Sequence, residues 1–366
     1  MSVILFIIIL GILIFAHELG HFLAAKKFKI RVDEFALGFP PRVWAKKFGE
    51  TVYALNILPL GGYVKIYGED GDDGTAVDPK SSRKMSDAPR WKQAIILSSG
   101  IIGNIIFAWL ILSIGFMAGL PTASSGPFGD RIKEQRLIIT SIMPDSPAED
   151  AGLKAGDQIL AIQYNAETIN NPDAEKAISL IGNAPDGSQI DFSILRQETT
   201  STISAITEEG IVSAGKSGVG VSMEYIGTLQ LSPIYAMVAG GYATVEMSKQ
   251  VGIGLYSLIV DSIRGQADLS TVTGPVGIAS LVGDAGKNGL ASLLLLTAII
   301  SINLAAINLI PFPALDGGRL FFLAIEAVRR KALNPKFSQR ANQIGFVLLL
   351  LLMAIITYKD IIRLIK

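Results

Sequence analysis

An apolar run from Val3 to Ala25 carries His17, Glu18 and His21, and nothing else restricts this chain so tightly. The run is about 23 residues, or roughly 34 Å of helix, enough to cross a bilayer. On a helix, His17 and His21 stand one turn apart on one face. Two imidazoles so placed can hold one Zn²⁺, and the adjoining Glu18 carboxylate can take a proton from metal-bound water. The chain has only these two histidines. Ionisable groups at membrane depth are costly unless they bind or pair with something. The plainer alternative, two buried histidines satisfied by ordinary hydrogen bonds, is therefore the weaker one.

Half of the 366 residues are hydrophobic and 17% are charged, with a mean hydropathy of +0.45. Those values describe a polytopic α-helical membrane protein with a soluble part. Zero net charge gives no reason to expect a nucleic-acid partner. The absence of Cys removes thiol catalysis, thiolate zinc ligands and disulfides. No basic residue precedes the apolar run and no small-residue cleavage site follows it. It reads as a retained first transmembrane helix, 1–25, and not as a signal peptide.

About four spans are expected. Basic residues are frequent in 26–91 (Lys26, Lys27, Lys29, Arg31, then Arg42 to Lys92), which makes this segment cytoplasmic and the N-terminus external. Within it, 51–58 and 63–67 read as two strands flanking a tight turn at Pro59-Leu60-Gly61-Gly62, a small membrane-associated hairpin. Asp70 to Ser86 is polar and reads as mobile. A second span covers 92–119, where Gly100 and Asn104 share a face: small residues permit close helix approach, and Asn104 offers a polar contact.

From 120 to 230 the composition is that of a soluble α+β domain. Strands are expected over 136–143, 158–163, 189–195 and 218–223, with a helix over 172–181. The passage from Pro144 to Leu160 (Ser146-Pro147-Ala148, then Ala151-Gly152-Leu153 and Gly156-Asp157) resembles a bacterial PDZ domain. That resemblance implies a module that takes extended peptide ends as an added strand; some other small α+β domain is the alternative. Segment 231–287 reads as amphipathic helix over 231–264 followed by a turn region around Gly274-Pro275-Val276-Gly277. Glu246, Lys249 and Gln250 argue against a fifth span.

A third span lies in 288–325. Inside it, Pro311 and Pro313 must break the helix, and Gly317-Gly318 frees the backbone after Asp316. Broken backbone at membrane depth is tolerated where it is buried or lines a polar cavity, so Asp316 is the third ligand candidate. Basic residues after it mark 326–342 as a second cytoplasmic loop, on the side where His17 and His21 lie. A fourth span fills 343–366. Two histidines, a carboxylate and one open position make a catalytic zinc arrangement; a closed site would need a fourth ligand, and no Cys or third His exists to supply it.

Taken in order, HELGH at 17–21, Ile57 to Lys65, Gly100-x-x-x-Asn104, the PDZ-like passage and Asn308-x-x-Pro-x-Pro-x-Leu-Asp316-Gly resemble the site-2 family of intramembrane zinc metalloproteases, nearest its bacterial RseP-like branch. The resemblance implies one Zn²⁺ held by His17, His21 and Asp316, with Glu18 catalytic. It implies substrate contacts from Asn303, Asn308 and Asn104, and a sheet edge including Gly61, Gly62 and Tyr63 that holds an unwound substrate. The implied setting is the bacterial cytoplasmic membrane, with the PDZ domain extracytoplasmic and the active site toward the cytoplasm. Implied partners are single-span membrane proteins (trimmed anti-sigma factors, remnant signal peptides) and the lipid bilayer. Two departures stand out: Gly38-Phe39-Pro40-Pro41 lacks a usual second Gly after the Phe, and the soluble region has room for one PDZ domain where some relatives carry two. The rival readings are a non-catalytic PDZ scaffold with a structural metal and a metal-ion carrier. Glu18 argues against the first, and the lack of acidic residues along the spans against the second.

Overall fold

The computed structural model describes residues 2–69, 83–124, 126–196, 199–213, 216–266, 273–331 and 333–365. The expected mobile stretch, 70–86, lies outside the described residues except for its last four. In order, the first elements are α1 (Ser2–Lys27), β1 (Val32–Phe48), β2 (Thr51–Ile66) and α2 (Arg90–Ala118). Next come β3 (Leu120–Ala123), β4 (Lys133–Ile142), α3 (Pro147–Asp150), β5 (Gln158–Tyr164), β6 (Glu167–Asn170) and α4 (Ala174–Asn183). These are followed by β7 (Gln189–Arg196), β8 (Thr199–Ile206), β9 (Glu208–Ser213), β10 (Lys216–Gly218) and β11 (Val221–Leu229). Helices α5 (Pro233–Ile263), α6 (Pro275–Lys287), α7 (Leu290–Leu309), α8 (Asp316–Arg329) and α9 (Pro335–Ile365) complete the chain. Two compact units result: Met1–Gly115 with Pro233–Lys366, and Phe116–Ser232.

Among the described residues, α1, α2, α7 and most of α9 are long and apolar enough to cross a membrane. Their outward faces carry large apolar side chains such as Ile8, Ile12, Ile106, Leu110, Leu348 and Leu351, as lipid contact requires. The first unit buries two small apolar clusters, one around Val32, Ile96 and Leu323 and one around Ile9, Leu13 and Val282, and also packs through small residues. A Cβ on Gly103 would sit 2.7 Å from the Ala16 carbonyl of α1, so α1 and α2 meet almost backbone to backbone. At the end of α1, Lys26 and Lys27 face the negative end of the helix dipole. The left-handed Lys29 (φ 59°) stops the helix, and Ile30 N–H closes on the Ala25 carbonyl at 2.9 Å.

The sheet of this unit departs from expectation. Segments 51–58 and 63–67 do not pair with each other across a turn at 59–62. They form one strand, β2, and the real turn is at Gly49 (φ 61°), which leads out of β1. Residues 42–48 of β1 pair with 51–56, while Glu34–Leu37 lies beside both Val52–Leu55 and Gly62–Lys65. The two glycines serve close approach and not reversal: a Cβ on Gly61 would meet the Phe39 ring at 2.8 Å. Phe35 and Tyr53 seat the sheet on α1, with ring centroids 5.4 Å (Phe22–Phe35) and 6.0 Å (Phe22–Tyr53) apart.

Two further expectations are corrected. Residues 275–287, read as a turn region, are helix α6: Gly274 is its N-cap and Pro275 its first residue, where a missing N–H costs nothing. The buried Asp360 carboxylate of α9 accepts from Gly274 N–H (3.2 Å) and Gly277 N–H (2.8 Å), completing that cap. Nor is 326–342 a loop. Helix α8 runs to Arg329 and α9 begins at Pro335. The segment expected to be amphipathic is, over 233–263, one helix whose Ala236, Ala239, Gly240 and Thr244 are buried. It is not among the four candidate spans.

The second unit has strand order β3-β11-β4-β5-β7-β8, with β6 on β5 and a separate β9-β10 pair. Alternation places Ile190, Phe192 and Ile194 inside, against Ile139, Ile159, Ile162 and Leu180. Fully burying each such side chain contributes roughly 2 kcal/mol. The Ser146-Pro147-Ala148-Glu149 stretch is a working helix start: Ser146 caps α3, and the Glu149 carboxylate accepts from Asp145 N–H at 2.8 Å. Asp157 is buried and takes two bonds of 2.6 Å from the Arg196 guanidinium and one of 2.8 Å from Lys154 N–H. Burial pushes its carboxyl up, but the guanidinium and the amide outweigh it and hold it below the ordinary range.

Candidate metal centre

Three ligand-bearing side chains converge in the helical unit. His17 Nε2 lies 3.1 Å and His21 Nε2 3.2 Å from Asp316 Oδ2, and the two Nε2 atoms are 3.3 Å apart. Four tetrahedral ligands at about 2.0–2.1 Å from zinc stand roughly 3.3 Å from one another, so this triangle has the size of one face of a zinc site. The donor set also fits, with two imidazoles and one carboxylate and, among the described residues, no fourth side chain in the group.

Each corner is placed by its own local structure. The two histidines share a face of α1 because they are four residues apart. Asp316 is the first residue of α8, delivered there by the break after Leu309. In that break Ala314 is held at φ 79°, a costly conformation for a residue with a Cβ, and Ala314 N–H donates to the Asn342 side chain of α9 at 3.3 Å. Gly317 and Gly318 lie so near the backbone of Leu309–Phe312 that a Cβ on either would clash. Leu323 anchors α8 in a cluster with Ala24, Ala25, Val32, Ile96 and Leu97, and Arg319 pairs with Glu69.

Helix α2 lies against the imidazoles along one stripe. The Ile96 carbonyl accepts from His21 Nδ1 at 2.8 Å, which turns Nε2 toward Asp316. One turn on, Gly100 makes room for both rings: a Cβ there would fall on His21 Nε2 and lie 2.7 Å from His17 Cε1. One turn further, the Asn104 amide lies 3.3 Å from His17 Nδ1. Asn104 is wholly buried, so it has no surface to offer a substrate, contrary to the expectation for it.

The other expected site residues fall in different places. Glu18 is half-buried beside the triangle, and a Cβ on Gly62 would be 3.2 Å from its Cγ, so β2 passes directly by Glu18. The Tyr63 hydroxyl donates to Glu34 at 3.1 Å, and its ring stacks with Phe39. Asn308 is half-buried in the last turn of α7, next to the break. Asn303 lies further back and bonds its own helix, its amide donating to the Ile299 carbonyl at 2.9 Å. Sequence reading missed Asn342, Ala314 and the Ile96 carbonyl; only the spacing of four from 96 through 100 to 104 hinted at the last.

The model of peptidase family M50 matches residues 5–352. A Clostridium perfringens protein bearing the name of a zinc metalloprotease is 34% identical over 365 residues, covering 99% of each chain. A Nostoc protein of the same description is 33% identical over 363 residues, covering 96% of this chain and 93% of its own. The regulator of sigma-W protease RasP of Bacillus subtilis is 29% identical over an alignment of 439 residues, covering 99% of each.

Proposed function

Because the chain belongs to peptidase family M50 and is a zinc metalloprotease, we propose that it cuts single-span membrane proteins within their membrane segments. The observation that carries this is the meeting of His17, His21 and Asp316 between helices apolar enough to cross a membrane. His17, His21 and Asp316 would hold the ion. Zinc, when bound, supplies a water acidic enough to lose its proton near neutral pH and a Lewis acid for the peptide carbonyl. Glu18 takes the proton from the attacking water and hands it to the leaving amine nitrogen. Among the described residues its carboxylate makes no hydrogen bond, which suits a group that must both accept and release a proton.

A helical substrate shields its peptide bonds, so it must be extended before attack. The Gly61–Tyr63 stretch of β2 lies in the strand that pairs with β1 and runs past Glu18. A substrate strand added along Gly61, Gly62 and Tyr63 would bring its backbone to Glu18. Asn308, next to the break, is the better placed of the two α7 asparagines to steady it; Asn303 is a weaker candidate.

The second unit is proposed to be a single PDZ domain. A groove of about 670 Å³ separates α4 from β11 and is lined by Ile178, Ile181, Val219, Val221 and Met223. Among the described residues, β3 pairs with β11 over Ile226–Leu229, and β4 pairs with it from Val221 onward. A peptide end could add as a strand in that groove. The substrates proposed are anti-sigma factors and remnant signal peptides. The setting proposed is the bacterial cytoplasmic membrane, with the N-terminus and PDZ domain outside and the metal centre toward the basic, cytoplasmic side.

The test is cleavage of a tagged single-span reporter by purified protein in detergent, wild type beside Glu18→Gln, with zinc quantified in both. Wild-type cleavage and a zinc-loaded but inactive variant are the expected pair, with a rate loss on the order of a hundredfold or more. Equal cleavage by both would remove Glu18 from the mechanism. A zinc-loaded wild type that cuts none of several reporters would favour the scaffold reading.

A further inference from the structure

We infer that Asn104 is a positioning residue that holds the His17 imidazole with its proton on Nδ1, so that α2 supplies the partners of both imidazoles. This rests on the zinc reading above. If His17 and His21 present Nε2 to the ion, each Nδ1 must carry the proton and donate it to something. For His21 the acceptor is the Ile96 carbonyl, 2.8 Å away. For His17 the group in reach is the Asn104 amide, at 3.3 Å.

Asn104 is suited to that task and to little else. Its relative exposure is 0%. Its backbone carbonyl is fixed by the Ser301 hydroxyl of α7, which donates at 2.8 Å. Its side chain has an oxygen buried without a partner among the described residues. Such an orphan is costly. The nitrogen of the amide is the atom drawn toward His17. Turning the amide over exchanges two atoms of nearly equal size and gives the Nδ1 proton an oxygen acceptor, while the NH2 takes the place where the oxygen has no partner. The two imidazoles, one turn apart on α1, are thus met by an acceptor each from α2, with Gly100 between them as the gap the rings fill.

The experiment measures zinc affinity of the full chain in detergent by chelator competition. It compares wild type, Asn104→Leu and Asn104→Asp, and records the visible spectrum of each Co²⁺-substituted protein. Leucine keeps the volume and removes the acceptor; a 10–100-fold weaker affinity and an altered cobalt spectrum are expected. Aspartate offers only acceptors, and affinity at or above wild type is expected. Wild-type affinity in a folded leucine variant would overturn the inference. Should the leucine variant not fold, aspartate decides alone, because a tenfold loss there would mean that the amide acts as a donor. A wild type that binds no zinc would instead sink the metal reading on which this one stands.

Discussion

The two units solve the problem of holding a chain together in opposite ways. The sheet unit buries large side chains: Phe192, Ile159, Ile162, Ile190 and Ile194 are each at most 2% exposed. The helical unit turns many large side chains outward, keeps a few such as Leu13, Ile96, Leu112 and Ile302 inside, and brings backbones together at Gly20, Gly103 and Gly240. Lipid is as apolar as leucine, so burial between spanning helices contributes little there, and close contact with polar pairing takes over. The lesson is that in the helical unit the packing residues and the chemical residues are the same few, because the tightest approach is also where two imidazoles must fit.

Substitutions that injure one unit should spare the other, and the largest effect is expected at Gly100. Gly100→Val drives a side chain into both histidine rings. It should abolish zinc binding in a chelator competition, while hydrogen exchange of amides in 133–229 stays as in wild type. Phe192→Ala, which empties a fully buried site, should cost the sheet unit about 4 kcal/mol. That loss would be read as faster exchange in β5 and β7, with zinc affinity unmoved. A joint loss of both properties in either variant would break the comparison.

The smallest effect expected is at Asp157. Asp157→Ala removes two charge-assisted bonds from Arg196, which keeps the Gly152 carbonyl, and should cost about 2 kcal/mol. Acid should mimic it. The folded carboxyl is held below its unfolded value of about 4. Its contribution is therefore complete above that pH and is lost as pH falls from there through the lower folded value. Exchange in the sheet unit followed from pH 6 downward checks this; a profile unchanged by Asp157→Ala would show that the acid sensitivity lies elsewhere.

Much of this molecule is legible in its sequence, for identifiable reasons. The spans are legible because apolar length is a strong signal, and α4 and β7 because their periods of 3.6 and 2 are clean. His17, His21 and Asp316 stand out because polar groups in an apolar run need a cause. What is obscure comes from residues that carry two meanings. Gly61-Gly62 suggests reversal but permits a strand to graze Phe39 and Glu18. Gly274-Pro275 suggests a turn but starts α6. Asn104 reads as a contact for something outside the protein, and only the placement of His17 Nδ1 gives it an internal partner. The β1 pairing was hidden because one strand serves both arms of β2, a long-range choice that no local pattern records.

The third corner of the centre has a consequence in time. Asp316 follows His21 by 295 positions, so translation delivers His17, Glu18 and His21 long before it. A nascent chain in the membrane therefore carries HELGH beside newly inserted neighbours but lacks a complete triangle until α7 and α8 have been made. Until Asp316 arrives, the group of three side chains that could hold an ion is incomplete.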